Sequence, residues 1–271
     1  MTQLEKATQF RSLHSAPGAF VIPNPWDGAS ARVLASLGYR AMTTSSAAAA
    51  ATLGRRDGRL ARDEALAHCR VIVDAVDLPV AGDLENGFGD APGVVAETIR
   101  LAAEAGLVGG SIEDATGRTE DPLYEIGLAT ERIAAAVQAA RALPFPFTLV
   151  GRAEGFIRGR PDLDDVIRRL QAYERAGADV LFAPGLPDLA AVRRVCASVS
   201  RPVNVMAAVP GRGFTVANLA EAGVKRISLA ASLYRAAMTA LRDAAREVHD
   251  AGTFGYLERT IPTAEFGGYL G

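Results

Sequence analysis

Residues 94–113 read VVAETIRLAAEAGLVGGSIE, a helical pattern that runs through one glycine into a strand. From Val94 to Ala105 apolar residues recur at spacings of three and four, the period of one helix face. Gly106 then supplies the stop, because glycine takes the left-handed backbone that ends a helix without a Cβ clash. Gly109 to Glu113 follows as a short β-rich run that ends on a charge. The same joint recurs at Arg175-Ala176-Gly177-Ala178 and at Glu221-Ala222-Gly223-Val224, each a few residues ahead of another apolar run. Helix, glycine, strand is the joint that repeated β/α units need.

Working outward, strand patterns fall at 20–22, 41–45, 79–83, 109–113, 147–152, 180–183, 202–206 and 226–229. Helical spacing fills most of the gaps, at 65–76, 94–105, 133–142, 166–176, 189–198 and 233–248. Eight β/α units in 271 residues predict a (β/α)8 TIM-type barrel of the α/β class, forming a single domain over 1–271. An open doubly wound sheet fits less well, since the first β/α turn carries no GxGxxG and the strand count is too high. Residues 253–271 extend past the eighth unit, where they are free to pack on a neighbouring subunit.

Composition narrows the function. With 29 Lys and Arg against 31 Asp and Glu, the formal net charge is −2, which gives no electrostatic drive toward nucleic acid or an anionic membrane. The two cysteines, Cys69 and Cys196, have neither CxxC nor Cys/His spacing, so a disulfide scaffold and a structural zinc are not expected. Met1 to His14 mixes charges with its apolar residues, unlike a secretory leader or a membrane anchor. A cytoplasmic protein is the expectation.

Barrel active sites are built at the carboxyl ends of the strands, and here those ends are polar. They read Asn24-Pro25-Trp26-Asp27, Thr44-Ser45-Ser46, Asp83-Leu84-Glu85-Asn86-Gly87, Glu113-Asp114 and Gly151-Arg152-Ala153-Glu154, with Asn204 in the seventh strand. Asp83, Glu85 and Glu113 gather negative charge that needs compensation, and oxygen donors without His or Cys nearby suit Mg2+ or Mn2+. Acids beside Asn86-Gly87 are equally ordinary turn residues. Arg152 is either a salt bridge at the mouth or a fork for a substrate carboxylate or phosphate. Ser45-Ser46-Ala47 reads as a close-packed loop, a serine-capped helix start, or a set of free backbone N–H groups for an oxyanion. Asp57 lies on a polar loop of the same face as a candidate acid or a plain turn residue. His14, His68 and His249 fall in the N-terminal segment and on helices, where a surface or structural role is expected.

These strand-end motifs, together with Leu53-Gly54, Asp57 and Pro79-Val80-Ala81-Gly82-Asp83-Leu84-Glu85-Asn86-Gly87-Phe88-Gly89, resemble the isocitrate lyase and phosphoenolpyruvate mutase superfamily over nearly the whole chain. The resemblance implies a barrel whose last helix is swapped between subunits, in a tetramer built as a dimer of dimers, with Mg2+ at the mouth. It places the metal carboxylates on Asp83, Glu85 and Glu113, the last two acting through water. The substrate carboxylate and enolate oxygen fall to the backbone at Ser45, Ser46 and Ala47 and to Arg152, with Asp57 beside them and Trp26 lining the pocket. Lyases of the isocitrate type carry their acidic thiol in a Lys-Lys-Cys-Gly-His loop after the fourth strand. Here that stretch is Asp114-Ala115-Thr116-Gly117-Arg118-Thr119-Glu120-Asp121-Pro122.

The expected activity is therefore Mg2+-dependent carbon–carbon cleavage or decarboxylation of a small 2-oxo or 2-hydroxy acid through an enolate-like intermediate. Asp57, Arg118 and Glu120 are the candidates for moving the proton. The alternatives are a phosphoenolpyruvate mutase or phosphonopyruvate hydrolase, and a protein that binds 2-oxo acids without turnover.

Overall fold

All eight expected strands form, and each is short: β1 (Phe20–Ile22), β2 (Met42–Thr43), β3 (Val80–Asp83), β4 (Gly109–Glu113), β5 (Thr148–Arg152), β6 (Val180–Phe182), β7 (Val203–Met206) and β8 (Arg226–Ser228). The computed structural model describes residues 1–270. Every pairing is parallel, in the order β1-β8-β7-β6-β5-β4-β3-β2. Side chains from the seam close the remaining gap. The Asn24 amide donates to the Thr44 carbonyl at 2.9 Å, and its Oδ1 accepts from Leu229 N–H at 3.0 Å. One backbone bond, Thr43 N–H to the Pro23 carbonyl at 3.0 Å, spans the same seam. The fold is a (β/α)8 TIM-type barrel.

The helices are α1 (Gln3–Ser15), α2 (Gly28–Ser36), α3 (Ser46–Thr52), α4 (Arg62–Ala75), α5 (Pro92–Glu104), α6 (Ile126–Arg141), α7 (Leu163–Arg175), α8 (Leu189–Ser198), α9 (Val216–Glu221), α10 (Ser232–Arg246) and α11 (Thr263–Leu270). The glycine joints behave as their sequence requires. Gly106, Gly177 and Gly223 sit at φ +91°, +101° and +94°. A Cβ on Gly106 would also lie 2.7 Å from Val73 Cγ1 of the neighbouring α4, so that helix packs closely on the joint because the side chain is missing.

The periodicity does not announce α1, whose polar residues interrupt any apolar stripe. It is started by a capping box, with Thr2 and Glu5 each satisfying the other's backbone N–H. Its Ala7, Phe10 and Leu13 pack with Ile22, Ala41, Ala81 and Val108 and plug the amino-terminal end of the barrel. Of the three readings of Ser45-Ser46-Ala47, the capped helix is the one that forms, with Ser45 Oγ accepting from Ala48 N–H at 3.4 Å.

At the other terminus α10 buries none of its residues, and Met238 and Leu241 are exposed on it. Val248, Phe254, Leu257, Ile261 and Phe266 continue the apolar exposure beyond it. Among the described residues no helix is long and apolar enough to cross a membrane.

Phe10 carries the plug. Its ring fills the space beside Gly109, where an added Cβ would lie 2.8 Å from Phe10 Cε1. Phe10→Ala should lower unfolding free energy by about 3–5 kcal/mol, the usual range for a buried aromatic. Urea titration reads this, and a loss below about 1 kcal/mol would mean that α1 does not seal the core.

Candidate active site

The carboxyl ends of β3, β4 and β5 converge on one guanidinium. Arg152 Nε donates to Glu154 Oε1 at 2.6 Å, and its Nη1 lies 3.3 Å from Asp83 Oδ1 and 3.4 Å from Glu113 Oε2. The Phe182 ring backs it, 5.0 Å from Cζ to centroid. Burial alone would lower the pKa of Arg152, but Glu154, Glu113 and Asp83 outweigh it, and the net shift is upward. Arg158 adds a second cation at the same place. Its Nη2 donates to Glu113 Oε1 at 3.1 Å, and its Nε pairs with Glu154 Oε2 at 3.1 Å without hydrogen-bond alignment.

A buried carboxylate supports this pair from below. Asp114 accepts from Glu154 N–H at 2.8 Å through Oδ1, and from Tyr173 Oη at 2.7 Å and Arg169 Nη1 at 3.1 Å through Oδ2. Glu154, which is fully buried, is thereby held where it can orient Arg152. The β5 residues at the mouth are fixed by chemistry laid down on β4 and α7.

Asp83 is fixed from the other side. Its Oδ2 accepts from both the backbone N–H and the hydroxyl of Ser46, each at 3.0 Å, and its own N–H donates to Thr44 Oγ1 at 2.9 Å. Ser46 N–H is thus engaged by Asp83 and is not a free oxyanion donor in this state. Glu85 sits at φ +49° and has no hydrogen bond to its carboxylate among the described residues. Burial, then Asp83 and Asp57, push its carboxyl up to about 7. Asp57 is raised first by desolvation and then by Asp83, and Glu113 is pushed well up by burial and by Glu154. Three acids whose carboxyls are all raised around one mouth are a site waiting for positive charge.

Two cavities meet here. The outer, about 850 Å³, is lined by Asp57, Glu85, Glu113, Arg152 and Arg158. The inner, about 390 Å³, is reached past Ser45, Ser46, Ala47 and Asp83 and extends to Asn204. The expected site residues therefore share one space, with one exception. Trp26 lines neither cavity; its ring stands edge-on to Tyr234 at 5.5 Å, and its carbonyl is within 2.8 Å of His68 Nε2. Asp83, Glu85 and Glu113 do not close into a three-ligand cage, because Arg152 and Arg158 stand among them; the described residues hold no group of three His, Cys, Asp or Glu able to grip an ion alone.

Of the three candidates for proton transfer, only Asp57 lines the cavities. Arg118 is paired to Asp90 at 3.0 Å, and Glu120 is exposed on the same loop. The cysteines are remote from such a role: burial pushes Cys69 up to about 12 and Cys196 up to about 11. Sequence reasoning gave no role to Glu154 or Arg158. Their i,i+4 spacing was a usable signal, but only once the turn after β5 is known to coil.

A family model described as phosphoenolpyruvate phosphomutase matches residues 10–249. The chain belongs to that family. A Burkholderia cenocepacia J2315 protein of known structure, provisionally assigned as a lyase/mutase, matches at 52% identity and a TM-score of 0.97, covering 99% of this chain and 96% of that one. The 2-methylisocitrate lyase of Bacillus subtilis is 34% identical over 68% of this chain and 62% of its own. The oxaloacetate decarboxylase of Ectopseudomonas mendocina is 29% identical over 91% and 86% respectively. Relatives of this chain are thus lyases or mutases.

Glu85 gives the site a pH signature. Its carboxyl binds a proton more tightly folded than unfolded, so its contribution to stability is complete below about 4.5 and is lost as pH rises through about 7. In chelator, Glu85→Gln should match the parent's melting temperature at pH 4.5 and exceed it at pH 8. Equal melting temperatures at both pH values would contradict the raised carboxyl.

Proposed function

We propose that the protein is an Mg2+- or Mn2+-dependent lyase that cleaves or decarboxylates a small 2-oxo or 2-hydroxy carboxylic acid through an enolate-like intermediate. The observation that carries this is the pre-set Arg152 fork facing a mouth of under-compensated carboxylates. A guanidinium locked by Glu154 recognises a carboxylate without having to be ordered first. The donor set fits the metal. Mg2+ commonly takes one or two protein carboxylates and completes its shell with water, so Asp83 as direct ligand with Glu85 and Glu113 acting through water needs no cage. The unpartnered Glu85 carboxylate is what a bound cation would relieve.

When bound, the cation supplies charge that stabilises an oxyanion next to the substrate carboxylate. The residues do the rest. Arg152 binds and orients the acid, and Ser46 and Ala47 at the start of α3 would offer backbone N–H groups to it if Asp83 held the cation in place of its bond to Ser46. Asp57, its carboxyl raised by desolvation and by Asp83, is placed to give or take the proton at carbon. With no thiol in the loop 115–121 and both cysteines held as thiols elsewhere, isocitrate and 2-methylisocitrate should be poor substrates.

We further propose that the exposed apolar face of α10 is covered by a second copy of the chain, giving a homo-oligomer in which this helix is exchanged. Sedimentation should find dimers or tetramers, and Leu241→Glu should shift the population toward monomer. A monomeric parent would refute it.

The reaction is tested by screening oxaloacetate and related acids for product. Activity should vanish in chelator, return with Mg2+ or Mn2+, and survive thiol alkylation. Asp83→Ala should abolish it while the barrel remains folded, and Arg152→Lys should weaken acid binding by about tenfold or more through loss of the planar fork. Full activity of Asp83→Ala would overturn the assignment.

A further inference from the structure

Below the mouth, the barrel interior holds one charge that no side chain balances. Arg226 on β8 is 4% exposed, and its Nε and Nη1 are sealed from solvent without a hydrogen-bond partner among the described residues. The other deeply buried arginines are engaged: Arg169 binds Asp114 and Asp165, and Arg132 donates to the carbonyls of Asn86, Gly89 and Asp90. Asn204, the register partner of Arg226 across β7 and β8, gives its amide nitrogen to Ser228 Oγ at 3.2 Å and leaves its own Oδ1 buried and unpartnered. The two neighbours do not satisfy one another.

Nothing else close by supplies the missing anion. Phe10 covers the guanidinium, 5.7 Å from Cζ to ring centroid. His14 is kept neutral by burial and by Arg226 itself, its pKa lowered to about 3. Asp83 is the carboxylate whose field reaches Arg226, and its oxygens are taken by Ser46 and Arg152. Burial accordingly lowers Arg226 to about 10, still charged at neutral pH. A buried cation of this kind is costly to keep unless something binds it. The inner cavity runs from Ser46 and Asp83 at the mouth to Arg226 and Asn204.

We propose that Arg226 receives the second carboxylate of a dicarboxylic 2-oxo acid whose other end lies at Arg152, so that the barrel interior selects diacids over monoacids. A carboxylate satisfies the guanidinium through two N–H groups, and Ser228 is free to donate its hydroxyl hydrogen beside it. This rests on the reading of the mouth as a 2-oxo acid site.

The test compares 2-oxoglutarate with 2-oxovalerate, acids of one chain length that differ by the terminal carboxylate and have no carboxylate β to the ketone to lose, titrated calorimetrically into the full chain in Mg2+. The parent should prefer the diacid by about tenfold or more, the scale of one charge-assisted hydrogen-bond pair. Arg226→Met should bring the two affinities within about twofold by weakening only the diacid. It should also raise the melting temperature of the ligand-free protein, since an unpaired buried charge is gone, and Arg226→Lys should restore part of the preference. A preserved preference in Arg226→Met overturns the proposal. So does a misfolded or less stable Arg226→Met, which would make the residue structural. A parent that binds both acids equally overturns this inference alone; a parent that binds neither overturns it together with the function it rests on.

Discussion

Arg152 is the constraint on which the mouth depends. Burying a guanidinium is costly, and here three strands each contribute a carboxylate that offsets the cost: Asp83 from β3, Glu113 from β4, and Glu154 just after β5. The dependence is mutual, because removing one partner from a buried ion pair costs about 3–5 kcal/mol by stranding the other. Arg152 opposes the charge of these acids, yet burial outweighs it at Glu113 and at the neighbouring Glu85, whose carboxyls stay raised, and the mouth stays hungry for cations. Preorganisation of this kind is what a site for a small anion and a hard metal requires.

The support beneath that ion cluster explains why it sits on the barrel and not on a loop. Asp114 ties Tyr173 and Arg169 of α7 to the backbone of Glu154, which transmits the position of an outer helix to the inner rim. At the opposite end, α1 presses Phe10 against Gly109 and under Arg226. The barrel is therefore sealed below and polar above, with an arginine in each layer facing the cavity.

Much of this was legible in the sequence. Three of the strands, β4, β6 and β8, were readable because a short apolar run follows a glycine that a helix end needs, and Asp83 and Glu113 stood out because each closes a strand. What could not be read depends on direction in space. Glu154 and Arg158 act on Arg152 and Glu113 through the coil of a turn that period counting does not describe. Arg226 looks like an ordinary strand residue, and its burial follows only from the register with Asn204. Trp26, expected in the pocket from the family resemblance, instead packs on Tyr234 of α10. That contact belongs to the helix whose own apolar face is uncovered in a single chain. The α1 plug escaped because its buried residues are scattered among charges.

Arg152 cannot serve its own carboxylates and a substrate equally at the same moment. A cation at Asp83 would take over the neutralisation of the acids and release the guanidinium for the incoming carboxylate. Metal and acid should therefore bind as a linked pair, each raising the affinity for the other by the same factor. Calorimetric titration of oxalate, an unreactive analogue of the acid end of the substrate, measures this directly in Mg2+ and in chelator. The account predicts oxalate binding that is at least about tenfold tighter with Mg2+, a coupling of about 1.4 kcal/mol or more. Equal affinity in the two buffers would contradict it.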